Sequence, residues 1–222
     1  MYNYKGNDLA SHALLITASQ TVGKTVIKGI AENSGTDLTI QALKLMGVKI
    51  TKNDDVYTVH GVGVGGLVAP KNVLDVGNSN TLAHLLIGLL STYSFTSFLT
   101  GDIDLRSKSI SETIKALSSM CIGFISNDNS FPIAVVGYDS TIPISYTLTI
   151  PSTEIKSAIL FAALNTAGKT TITEVKPTNN CTEAILKRFG ANLNVNKDIN
   201  GHNTIIIYGR EELPAQEKSL DI

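Results

Sequence analysis

The sequence predicts an α/β (α+β) fold: three copies of one β-α-β-α-β-β unit, related by pseudo-threefold symmetry around buried central helices. Three observations predict it. Residues 39–47, 113–121 and 182–190 share the template Thr-x-x-(Ala/Ile)-Leu-x-x-(Met/Phe)-(Gly/Cys), at offsets of 74 and 69 residues. A period that long marks one supersecondary unit used three times. Each copy follows an apolar, helix-like segment (residues 11–18, 81–90 and 155–164), and each unit closes on a strand-like run ending in Gly61, Gly137 or Gly209.

The elements follow in order. Ile155, Ala158, Ile159 and Ala162 approach the i, i+3, i+4, i+7 spacing of a helix face. Residues 82–90 contain His84 as their one strongly polar group, and a helix apolar on all sides belongs inside a protein. Strand-like runs come next at 25–27, 95–99 and 170–173, then the amphipathic template helices, then two more strands. A strand is also expected before each apolar helix, at 2–4, 73–76 and 146–150. Gly47 and Gly190 fit helix C-terminal stops. The closing glycines suit turns of positive φ. No repeat buries its apolar faces alone, so residues 1–222 are expected to form one lobe. Its units span roughly 1–66, 67–140 and 141–213, with a polar tail, 214–222, as an exit or frayed end.

Composition sets the bounds. The chain has 222 residues, 43% hydrophobic and 17% charged, a globular balance with enough length for its own core. A net charge of −1, no Trp and no basic run argue against nucleic acid or an anionic membrane as partner. Cys121 and Cys181, in repeats two and three, read as small buried or half-buried thiols. No Cys-x-x-Cys or His-Glu-x-x-His spacing points to a metal, and no cofactor is expected. No signal peptide or apolar run near 18 residues appears, so the expected compartment is the cytoplasm. The run from Gly61 to Gly66 lacks the strand-to-helix context of a phosphate loop. Asp102 and Asp104 read as solvated carboxylates of a strand-end turn. His84 reads as a core histidine, and Ser11 and His12, as helix neighbours, do not face each other.

Four segments go beyond fold: residues 6–15 (GNDLASHALL), 74–81 (LDVGNSNT), 99–108 (LTGDIDLRSK) and 146–158 (YTLTIPSTEIKSA). In this order and spacing they resemble the 3-phosphoshikimate 1-carboxyvinyltransferase (EPSP synthase) family. Its signatures are Pro-Gly-Asp-Lys-Ser-x-Ser-His-Arg-Ala, Gly-Asn-(Ser/Ala)-Gly-Thr-x-x-Arg, Thr-Gly-Asp-x-x-Leu-x-x-Arg-Pro and Ser-Ala-Gln-x-Lys-Ser-Ala. The UDP-N-acetylglucosamine enolpyruvyl transferases fit these strings less well. RNA 3′-terminal phosphate cyclases use related units, but no nucleotide-binding histidine motif is present. The resemblance implies half of a two-lobed transferase: the lobe that binds shikimate 3-phosphate, with phosphoenolpyruvate as co-substrate.

The resemblance also implies the site. Ser11, Asn78, Thr81, Ser152 and Lys156 match positions for shikimate 3-phosphate, with Ser157 kept beside them. Lys108, Glu154 and Asn80 match positions for phosphoenolpyruvate. The departures fall on anion-binding groups. Asp8 stands for a Lys, Leu9 for a Ser, Asn80 for a Gly, His84 for an Arg, Lys108 for an Arg and Glu154 for a Gln. The first signature's Arg has no counterpart between His12 and Ala13. Two unit charges about 4 Å apart at an effective dielectric of ~20 interact by roughly 4 kcal/mol, so a sign reversal is expensive for a polyanion. Lys108 keeps its charge but loses the fork that grips an oxyanion at two points. The expectation is a lobe with a degenerate site, inactive alone. The alternatives are one half of a split enzyme whose second lobe is another chain, and a non-catalytic module for a different anion or a protein.

Overall fold

The computed structural model describes residues 5–216 and 220–221. The first unit runs α1 (Asp8–Ser19), β1 (Thr21–Lys28), α2 (Ser34–Leu45), β2 (Lys49–Asn53) and β3 (Val56–Val62). The second runs β4 (Leu74–Asp75), α3 (Asn80–Leu90), β5 (Thr96–Thr100), α4 (Ile103–Arg106), α5 (Ser111–Ser118), β6 (Gly123–Ser126) and β7 (Ile133–Val136). The third runs β8 (Ser145–Leu148), α6 (Thr153–Leu164), β9 (Gly168–Glu174), α7 (Cys181–Arg188), β10 (Leu193–Lys197) and β11 (Asn203–Gly209), before β12 (Leu213–Pro214) and β13 (Leu220–Asp221). The short α4 and the two tail strands, β12 and β13, lie outside the expected pattern.

The repeat is visible in the sheets. Their orders are β12-β1-β3-β2, β4-β5-β7-β6 and β8-β9-β11-β10, so the unit's last strand always sits between the other two antiparallel strands. Every residue of α1 from Ala10, of α3 from Leu82 and of α6 from Ile155 is buried, which makes these three helices the centre of the core. α2, α5 and α7 bury only one face, because their template spaces apolar residues for a single stripe.

Two expectations change, and the strands expected before α3 and α6 are present. β4 and β8 each add a parallel strand beside the first strand of their sheet. In the first sheet that slot is filled by the tail. Leu213 and Pro214 pair with Thr21 and Val22, and Leu220 pairs with Ile27, so these residues join the first repeat's sheet. The strand expected at 2–4 lies outside the described residues. Cys121 is exposed rather than buried, and it holds φ of 64° where the equivalent Gly47 and Gly190 hold 91° and 88°.

The closing glycines are required for a different reason than expected. Gly61, Gly137 and Gly209 do not have positive φ. A Cβ on any of them would collide with backbone carbonyls at or just past the C-terminus of its unit's central helix. The residue after each of the last two glycines then meets a neighbouring carbonyl, Tyr138 N–H to Ser91 O (3.3 Å) and Arg210 N–H to Leu164 O (2.8 Å). The Gly-rich run after Gly61 is also put to internal use. Gly65 and Leu67 turn their amides to the buried Tyr93 hydroxyl, which donates to Gln20 Oε1 at 2.7 Å. Burial pushes Tyr93 up to about 12 against the pull of these donors.

A candidate cleft at the central helix starts

The three central helices begin at one end of the lobe. His12 of α1 reaches the cap residue of α3, with Nε2 3.3 Å from Ser79 Oγ, and the charge of Glu154, in the first turn of α6, is felt at His84 of α3. Each start is capped by a local side chain: Asn7 to Ala10 N–H (2.9 Å), Ser79 to Leu82 N–H (3.1 Å) and Ser152 to Ile155 N–H (3.2 Å). Asn33 caps α2 by accepting from Thr36 N–H at 2.9 Å. Such ends carry unpaired N–H groups and a partial positive charge.

The repeat has a polar signature one turn in. The fifth residue of each central helix bonds the Thr that opens the template: His12 Nδ1 to Thr39 Oγ1 (2.6 Å), His84 Nδ1 to Thr113 Oγ1 (2.7 Å) and Ser157 Oγ to Thr182 Oγ1 (2.8 Å). This register places His12 where His84 stands. Burial holds His12 and His84 neutral, each at about 4, with Asp8 and Glu154 respectively pulling weakly the other way. The Thr39 hydroxyl donates to Gly35 O (3.0 Å), so it accepts from His12 Nδ1–H and leaves Nε2 as a lone-pair acceptor.

A cleft of about 540 Å³ opens between the starts of α1, α2 and α3. Its polar lining is Asp8, His12, Asn33, Ser34, Asn78, Ser79 and Asp102, and no Lys or Arg lines it among the described residues. Asp8 Oδ1 accepts from Asn33 Nδ2 at 2.6 Å. Asp102 is no bare turn carboxylate, since it caps α4 through Leu105 N–H (3.0 Å). The cleft therefore offers two carboxylates and an imidazole lone pair against a few neutral donors.

Of the residues expected at the site, Asn78 lines this cleft. Asn80 and Thr81 are half-buried in the first turn of α3, just behind it. Ser11 is fully buried, donating to Asn7 O (2.8 Å) and accepting from Ala31 N–H (2.9 Å), so both its hydrogen-bonding roles are internal. Lys108 is exposed beyond α4, outside the lining. Ser152 donates to Glu154 Oε2 at 3.0 Å, tying the expected phosphate serine to the Gln-to-Glu replacement.

Lys156 departs furthest from expectation. It is fully buried, and its ammonium is closed off by Glu183 Oε1 (2.7 Å), Asn179 O (2.9 Å) and Glu174 Oε1 (3.0 Å), which use its three donors. Burial pushes Glu174 up, but Thr178, Asn203 and Lys156 outweigh it and hold the carboxyl below its ordinary value. Burial wins at Glu183, whose carboxyl is raised despite Lys156. This lysine carries the third repeat's interior and faces no ligand.

Sequence reasoning missed Asn33, Ser34, Ser79 and Asp102. Asn33 and Ser79 had a signal, an N-cap residue just before a periodic apolar run. Asp102 lies in the Thr-Gly-Asp motif of the third quoted segment, but reads there as a solvated turn carboxylate.

The comparisons agree with the geometry. The family model described as EPSP synthase (3-phosphoshikimate 1-carboxyvinyltransferase) matches residues 3–220. A protein of that name from Rhodospirillum rubrum is 39% identical over 216 residues, 95% of this chain and 48% of the relative. One from Paramagnetospirillum magneticum is 40% identical over 213 residues, again 95% of this chain and 48% of the relative. An EPSP synthase structure from Acinetobacter baumannii superimposes with a TM-score of 0.89 at 31% identity, over 100% of this chain and 49% of that one. The chain thus spans about half the length of the curated relatives it matches. With its three-unit architecture, the chain belongs to the EPSP synthase family.

Proposed function

We propose that this chain is a shikimate 3-phosphate-type lobe of the family whose anion site has degenerated, and that alone it transfers no enolpyruvyl group. The observation that carries the reading is the cleft's lining: Asp8 stands where the family signature has Lys, and no Lys or Arg lines the cleft among the described residues. Catalysis of a reaction between two polyanions relies on fixed positive groups that neutralise them, and carboxylates in those places raise the barrier instead. Neutral His84, standing for the second signature's Arg, acts in the same direction. The Ser152-capped start of α6 is the part best suited to keep a weak phosphate contact. The place of action is the cytoplasm, and no cofactor or metal takes part.

The test is to mix the purified chain with shikimate 3-phosphate and phosphoenolpyruvate and follow enolpyruvyl product. No product above the uncatalysed background is expected, and multiple turnovers defeat the reading. A second reading, one half of a split enzyme, is favoured by Ile103, Ile150 and Val175. These apolar residues are 76%, 51% and 47% exposed near the end where the helices start. Product that appears only when a separately expressed second-half lobe is added supports that reading. A third, a non-catalytic module for another anion or a protein, has no observation of its own.

A further inference from the structure

We infer that the Asp8 carboxylate is the cleft's own resident anion, and that this side chain actively excludes phosphate from the starts of α1 and α2. The inference deepens the proposed function and rests on it. Asp8 is the first residue of α1, where the helix end favours a negative charge. Its Oδ1 is clamped by Asn33 Nδ2 at 2.6 Å, and Asn33 has no freedom to turn, because its Oδ1 already caps α2 through Thr36 N–H. One carboxylate therefore bridges the starts of two 12-residue helices, the place an incoming anion would have to take. Its charge reaches as far as the buried ring of His12.

The fold does not depend on this charge. The cap of α1 is Asn7, one residue earlier, and the cap of α2 is Asn33. Asp102, by contrast, spends an oxygen on capping α4. Asp8 can thus be neutralised without uncapping a helix, which makes the exclusion separable from stability.

Calorimetric titration of inorganic phosphate and of shikimate 3-phosphate into four proteins tests this: the unaltered chain, Asp8→Asn, Asp8→Ala and Asp139→Asn. Asp139 lines a second cavity of about 450 Å³ beside Tyr93 and Asn165 at the helices' opposite end, so its neutralisation changes net charge equally but elsewhere. Asp8→Asn keeps the shape and is expected to tighten both phosphate ligands by about tenfold or more. Asp8→Ala should gain at least as much, and Asp139→Asn nothing. Folded Asp8 variants that bind no tighter than the unaltered chain overturn the inference, as does an equal gain in Asp139→Asn. If the unaltered chain binds both substrates tightly and turns over, the proposed function fails as well. If unaltered and Asp8 variants are equally silent, only this inference fails.

Discussion

The third repeat and the first two solve the same structural problem with opposite chemistry. One turn into each central helix a polar side chain bonds the template's first Thr. In repeats one and two that side chain is a histidine held neutral by burial, and no charged residue lies beside it on the helix interior. In repeat three it is Ser157, and the preceding residue is Lys156, locked between Glu174 and Glu183. Glu183 stands in the template where Ile40 and Ile114 stand in the other copies. The difference teaches that charge at this end of the lobe has two fates. Where it is matched inside the protein it serves packing. Where it faces the cleft it is negative and serves exclusion.

Removing the matched charge should have the largest effect. Lys156→Met leaves Glu174 and Glu183 buried without their cation and should cost about 3–5 kcal/mol in urea unfolding. Adding Glu183→Ile, the residue of the other repeats, to Lys156→Met should recover part of that loss. A loss below about 1 kcal/mol for Lys156→Met would dissolve the contrast between repeats.

Acid should act on the other two repeats. The folded values of His12 and His84, about 4, lie below the ordinary 6.5, so the unfolded chain binds protons first as pH falls. Their neutral pairing is fully favourable above pH 6.5 and is lost progressively as pH drops from 6.5 toward 4, by up to roughly 3 kcal/mol per histidine. Unfolding curves collected across that window should show the decline, and His84→Gln should flatten it by about half. An unchanged slope in that variant would mean that the imidazole is not buried neutral.

The fold was legible because its signals repeat. A template seen three times fixed the units, and the eight apolar residues beside His84 within 82–90 fixed a central helix. The tail was misjudged because two-residue strands such as Leu213–Pro214 carry no period and gain their stability only by pairing with β1. The glycines were seen but misexplained, since close approach of Gly61 to a helix end is a tertiary fact that local turn chemistry does not encode. At the site, sequence matching singled out Asp8, which lines the cleft, and Glu154 and Lys108, which do not. It erred at Lys156, where a matching motif residue is turned inward by Glu174 and Glu183, residues 18 and 27 positions later in the chain. It also missed the kinship of His12 with His84, which only the threefold register reveals.

The central claim is that the charge content of the cleft forbids the family's second substrate. Calorimetric titration of phosphoenolpyruvate into the chain, with shikimate 3-phosphate present at saturating or highest attainable concentration, tests it most directly. The account predicts no saturable heat up to roughly 1 mM. A saturable isotherm well below that concentration would contradict it.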